Sequence, residues 1–361
     1  MAGYRGDGEG SVHQRASDGL WLGVHTVGRS RTSILRDFFL ILIVLVLDVG
    51  AQATIAAAAN EPHTVRVPAQ PDALLAVGGK VWVASCAGNA VTEISRTTGL
   101  VIQTISEATY GFNCPDALAV DGTNILVANE SGNSITEVSA STGDFIQTLT
   151  GPQISYPDAL AVDGPNVWVA NAPNGNLADF LSEIDTSTGS VVRTVDNPKN
   201  FRWNFSDPTS LAITGSDIWV SDASGSAPYE FNVATGAYLG TTRGGPGVSG
   251  NPCVVIHNDL LWVSSFSTSK VEEFNARKRT FIRDILNVPN PNQLVFTGSK
   301  LFVESNAPVD TVREFNDEGE LLRIVAKSNK GLSKGIDGVL VLGAQVWTAN
   351  YSSSSVTIYT L

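Results

Sequence analysis

The chain has 361 residues, of which 43% are apolar and only 16% charged. Its 23 Lys and Arg stand against 35 Asp and Glu, a net charge of −12 with no basic stripe, which excludes a nucleic-acid binder. Apolar content is too high for a disordered chain, and charge falls below the roughly 25% of an average domain, so Ser, Thr, Asn and Gly must carry the solvent face.

Residues 1–37 form a polar, Gly-rich extension without periodicity and are expected to be disordered. Residues 38–47 are continuously apolar, Arg29, Arg31 and Arg36 precede them, and Ala51-Gln52-Ala53 and Ala56–Ala59 follow. A basic stretch, an apolar core of about ten residues and a small-residue exit describe a secretory signal peptide. The rival is a retained anchor: 38–59 is long enough to span a bilayer, although Asp48 and Gln52 interrupt it. Either fate makes the remainder, 60–361, secreted, periplasmic or cell-surface, and a membrane enters only if 38–59 is not cleaved.

From residue 71 onward the sequence repeats. Pro115-Asp-Ala-Leu-Ala-Val-Asp-Gly is followed by Asn124-Ile-Leu-Val-Ala-Asn129, and Pro157 opens a near-identical copy. Another copy begins at Pro71, and weaker ones at Pro208, Pro252, Pro291 and Ile336. A large residue marks each copy, at Trp82, Leu126, Trp168, Trp219, Trp262, Phe302 and Trp347, with spacings of 44, 42, 51, 43, 40 and 45. Each copy reads as four short strands, a to d, with a Thr-Gly turn before the last, as at Thr142-Gly143 and Thr188-Gly189. Four strands per 40–45 residues predict an all-β, seven-bladed β-propeller of antiparallel blades. The seventh copy lacks strand d, and the spare run 63–67 supplies it, so the N-terminal strand should close the last blade.

The Val-Trp-Val-Ala-Asn, Val-Thr-Glu-Ile and Thr-Gly pattern resembles the YVTN and NHL-type propeller repeats of secreted bacterial proteins. It is also similar to the seven-bladed streptogramin (virginiamycin B) lyase propellers, over about residues 62–361. That resemblance implies a propeller fold, and for the lyases a Mg²⁺ site with two His and a Glu. No catalytic residue carries across: of the histidines beyond the leader, His63 lies in the closing strand and His257 in an a–b turn. No Gly-x-Ser-x-Gly elbow or Ser/His/Asp set appears either.

In a propeller the b–c and d–a loops share one face, where ligands meet the central channel. The residue after each repeat start opens strand a there: Asp72, Asp116, Asp158, Thr209, Cys253, Asn292 and Asp337. Four carboxylates at one mouth raise one another's pKa or recruit a hard cation, Ca²⁺ or Mg²⁺, with Asp116 and Asp158 as ligands. The other reading is that each Asp caps its own turn. The ends of strand b, including Asn129 and Asn171, would enlarge the same polar funnel. No organic cofactor is called for.

Six blades repeat a Glu in strand c (Glu93, Glu137, Glu183, Glu230, Glu273 and Glu314), expected in inter-blade hydrogen bonding or on a solvated edge. Blade three carries the extra residues, in the loops 172–180 and 196–207. The second loop holds Phe201, Arg202, Trp203 and Phe205, aromatics with an Arg of the kind binding loops use, or else a cover for the blade edge. Cys86 and Cys114 fall at the same end of adjacent blades and predict a disulfide, leaving Cys253 free. The reading is a monomeric ligand- or protein-binding scaffold whose partner is a protein, a glycan or a small molecule. Its alternative is a Ca²⁺- or Mg²⁺-dependent lactonase or lyase-like enzyme using the Asp/Asn ring.

Overall fold

The computed structural model describes residues 61–173, 179–196, 206–245, 247–248, 250, 252–286, 288–306, 308–327 and 335–361. They form seven four-stranded antiparallel sheets. The first strands of the blades are Pro71–Val77, Pro115–Asp121, Pro157–Asp163, Pro208–Thr214, Val254–His257, Pro291–Thr297 and Ile336–Leu342. Each contacts the first strands of both adjacent blades, and that of blade seven contacts that of blade one, so the first strands form a closed ring about a central channel. This is a seven-bladed β-propeller, as the period predicts.

The closing strand is His63–Arg66, which pairs with Ser355–Thr360 as the outermost strand of blade seven. His63 lies opposite Ile358, and Val65 opposite Val356. Ring closure therefore joins the first ordered strand of the chain to its last. The leader segments 1–37 and 38–59 lie outside the described residues.

The periodic large residues hold the blades together. Trp82 packs against Ile125 and Val127 of blade two, and Trp168 against Ile218, Val220 and Phe231 of blade four. Trp347 completes the circle against Val81 and Val83 of blade one. All five repeat tryptophans are at most 2% exposed. Burying such a side chain fully is worth on the order of 3 kcal/mol, so one large residue per interface suffices to lock each blade to the next.

The strand-c glutamates add a polar clamp. Glu183 binds Arg193 and accepts from Asn166 Nδ2 (2.7 Å), and Glu314 lies between Lys300 (2.7 Å) and Arg323 (2.5 Å). In blades one and two the partner reaches the next blade as well. Gln103 Nε2 donates to Glu93 Oε1 (2.6 Å) and to Thr142 O (2.9 Å), and Gln147 Nε2 donates to Glu137 Oε2 (2.6 Å) and to Thr186 O (2.7 Å). Glu230 crosses the boundary directly, to Arg279 of blade five.

Candidate functional site at the channel mouth

All seven residues that open strand a line one cavity of about 400 Å³. Local backbone geometry explains why. Pro115 pairs with Asn129 and Ala117 with Ala128, so Asp116 is the extra residue of a β-bulge. The same register shift recurs after Pro71, Pro157, Pro208, Pro291 and Ile336. A bulged residue is left out of the ladder and its side chain is re-aimed. Repeated around a closed ring, the bulge turns a residue that is merely periodic in sequence into a convergent set.

Convergence is tight where the ring closes. The position after the bulge is Ala73, Ala117 and Ala159 in the first three blades but Gly338 in the seventh. A Cβ on Gly338 would sit 2.3 Å from the Asp72 carbonyl oxygen, so only glycine lets blade seven reach blade one there.

The electrostatics follow from four carboxyl groups in a partly dry channel with no Lys, Arg or His among its described lining residues. Burial, then the charges of Asp116 and Asp337, push Asp72 up to about 8, and its Oδ2 is buried without a hydrogen-bond partner. Asp116 and Asp158 hydrogen-bond to each other. Burial and the Asp116 charge hold Asp158 well above the usual carboxylate range, so it keeps the shared proton and donates it. Burial and the neighbouring Glu130 push Asp116 up to about 6. Burial, then Asp310, raises Asp337 as well.

The other ring members are neutral. Thr209 Oγ1 donates to Pro252 O (3.0 Å), and Cys253 is a free cysteine whose thiol is raised by burial. The residues that end strand b do not reach the cavity. Asn129 is fully buried and its Nδ2 donates to Ser134 Oγ (3.1 Å) and Thr136 Oγ1 (2.9 Å). Asn171 Nδ2 donates to Ser182 Oγ (3.0 Å), while its Oδ1 accepts from Ser155 N (2.9 Å). Asn129 thus ties strand b to strand c of its blade, and Asn171 also holds the loop at Ser155. Phe201, Arg202 and Trp203 lie outside the described residues.

Cys86 and Cys114 are joined in a disulfide 28 residues apart, between the loop that leaves strand b of blade one and the start of blade two. It staples the backbone beside Asp72 to that beside Asp116. Among the described residues, the one cluster of three His, Cys, Asp or Glu ligand atoms within 4.8 Å is Cys86, Cys114 and Glu130, and the disulfide uses both sulfurs. No three of the mouth carboxyls come mutually within that distance, although Asp116 and Asp158 touch as a pair.

Two acids around the mouth escaped the sequence reading. Glu304 is fully buried at a position that is Ala84, Ala128, Ala170, Ser221, Ser264 and Ala349 in the other blades. It accepts from Gln293 N (3.4 Å) and from the Asn292 side chain, backing the cavity wall. Glu130, beside Asp116, is raised by burial and Asp207. A charge where the repeat has a methyl group was the available signal for Glu304. The chain matches no protein-family model and no curated protein.

Proposed function

We propose that this propeller is an extracytoplasmic binding module that holds a positively charged group of a ligand or partner in its channel mouth. The observation that carries this reading is the convergence of Asp72, Asp116, Asp158 and Asp337 on one cavity with no cation among its described lining residues. Without a ligand the ring avoids mutual repulsion by retaining protons. A bound cation replaces those protons, and a preorganised, partly desolvated set of acceptors rewards it more than water does. The disulfide supports an oxidising compartment, where such bonds persist. The scaffold needs no acid, base or nucleophile, which agrees with the absence of a triad from the sequence.

The resemblance to YVTN and NHL-type repeats belongs to this proposal, and so does the enzymatic alternative. Ca²⁺ or Mg²⁺ held by Asp116 and Asp158 would supply a Lewis acid at the mouth of a lactonase-like channel. The Asp116–Asp158 contact favours that version, and the lack of a third described carboxyl within 4.8 Å of both favours a larger cationic group.

Calorimetric titration of the purified protein with Ca²⁺, Mg²⁺ and 1,4-diaminobutane, repeated on Asp116→Asn/Asp158→Asn, separates the versions. Diamine binding that weakens at least tenfold in the variant supports the organic-cation site. One-site Ca²⁺ or Mg²⁺ binding with the same loss supports the metal site. Binding of none of the three, or binding unchanged in the variant, overturns the mouth as a cation site.

A further inference from the structure

A second departure from the repeat lies between blades four and five. Where strand c faces strand d, blades one, two, three and seven place hydroxyls opposite one another. Thr92 faces Thr104 (3.2 Å between oxygens), Thr136 faces Thr148, Ser182 faces Thr194, and Thr357 faces Thr64 (3.0 Å). Blade five puts Glu272 opposite Asp284 at this position. Two carboxylates directly opposed across an antiparallel pair repel each other, so the repeat's neutral pair is exchanged for a costly one.

The local charges do not balance. Lys270 Nζ pairs with Asp284 Oδ2 (3.1 Å), and the other Asp284 oxygen has no partner. Glu272 is 0% exposed, and neither of its carboxylate oxygens has a hydrogen-bond partner. Two acids and one lysine leave one negative charge in excess. A buried carboxylate with both oxygens unsatisfied is strongly disfavoured unless something occupies the space beside it. Burial, then the charge of Asp284, pushes Glu272 up to about 7, at the edge of protonation in neutral solution.

There is such a space. Glu272 lines a cavity of about 290 Å³ whose other described walls include Phe274, Val248, Thr242 and the glycine-rich run at Gly244 and Gly245. A Cβ on Gly245 would stand 2.7 Å from Glu272 Oε2 and 2.9 Å from Phe274 Cζ, so glycine keeps this corner open. The volume is many times that of a bare metal ion, and among the described residues no third carboxylate completes a ligand cluster here. One uncompensated negative charge, an aromatic wall and an apolar valine fit a small organic cation better than a divalent metal.

We propose that this cavity is a second binding site, distinct from the channel mouth, for an organic monocation with N–H donors, an ammonium or a guanidinium, whose charge is held by Glu272. The proposal does not depend on the function assigned to the mouth.

The test is an NMR titration of the full chain with n-butylammonium and, separately, n-butylguanidinium, following the amide signals of Gly245 and Phe274. Saturable shifts with either probe are expected. The affinity should fall at least tenfold in Glu272→Gln and stay within twofold in Asp116→Asn/Asp158→Asn. The relative affinities of the two probes identify the head group. A second variant, Glu272→Thr/Asp284→Thr, restores the repeat's hydroxyl pair, should fold at least as stably as the parent, and should also lose binding. Failure of both probes to saturate, equal affinity in Glu272→Gln or in the double-threonine variant, or loss of binding in the mouth variant alone would overturn the assignment.

Discussion

Glu314 and Asp158 both recur from blade to blade, and both are carboxylic acids withdrawn from water, yet their surroundings are opposite. Burial pulls the Glu314 carboxyl upward, but Lys300 and Arg323 outweigh it and hold the group below its usual value. Asp158 meets only burial and other acids, and it is raised. Strand c lies third from the axis, where Glu314 draws its partners from strands b and d of its own blade and Glu230 draws one from the next blade. Strand a lies at the axis, where the equivalent residues of all seven blades supply one another's neighbours. Recurrence in sequence is therefore silent about role; the distance of a strand from the symmetry axis decides whether repeated acids are diluted or concentrated.

The largest effect comes from opening the ring on which that convergence depends. Deleting residues 60–66 leaves Val356 and Ile358 without the strand that covers them and exposes a full strand edge. Loss of the single cooperative unfolding transition, followed by calorimetry, is the expected result. Next is the staple beside the mouth. Replacing Cys86 and Cys114 by Ala removes a cross-link closing a 28-residue stretch, worth on the order of 3 kcal/mol, and should lower the denaturant midpoint without changing the far-ultraviolet spectrum.

Smaller effects sharpen the comparison because they differ in sign. Glu314→Ala strands two cations and should cost about 2 kcal/mol, less than a fully buried pair because Lys300 and Arg323 are each more than 40% exposed. Asp158→Asn keeps a donor toward Asp116 without the proton uptake that folding imposes on the acid, and should raise stability by about 1 kcal/mol at neutral pH. Urea titrations of the two variants side by side check both signs.

Fold and ring closure were legible because one large residue per period survives in every copy, and a Thr-Gly turn survives in the first four. The mouth was legible in part: Asp72, Asp116, Asp158 and Asp337 share a repeat position, and the propeller axis brings that position together. The bulge that aims them inward was not, since it depends on the register between strands a and b rather than on residue type. Asn129 and Asn171 misled for the same reason. They end strand b, one strand away from the axis, and their amides are consumed by Ser134, Thr136 and Ser182. Glu272 and Glu304 were overlooked because the search followed what repeats, whereas their information lies in what fails to repeat.

Thermal melts from pH 4 to pH 9 on the parent chain and on Asp72→Asn/Asp116→Asn test whether the mouth concentrates uncompensated carboxyl groups. Folded-state values near 8 for Asp72 and 6 for Asp116 lie above the ordinary 3.8 of the unfolded chain. The folded protein thus holds protons that the unfolded chain has released, and stability must fall as pH rises. Both groups contribute between about pH 4 and 6, and Asp72 alone between about 6 and 8. The parent's melting temperature should drop by several degrees relative to the variant across that span and run parallel to it above pH 8. Curves that stay parallel from pH 4 to pH 9 would contradict the claim.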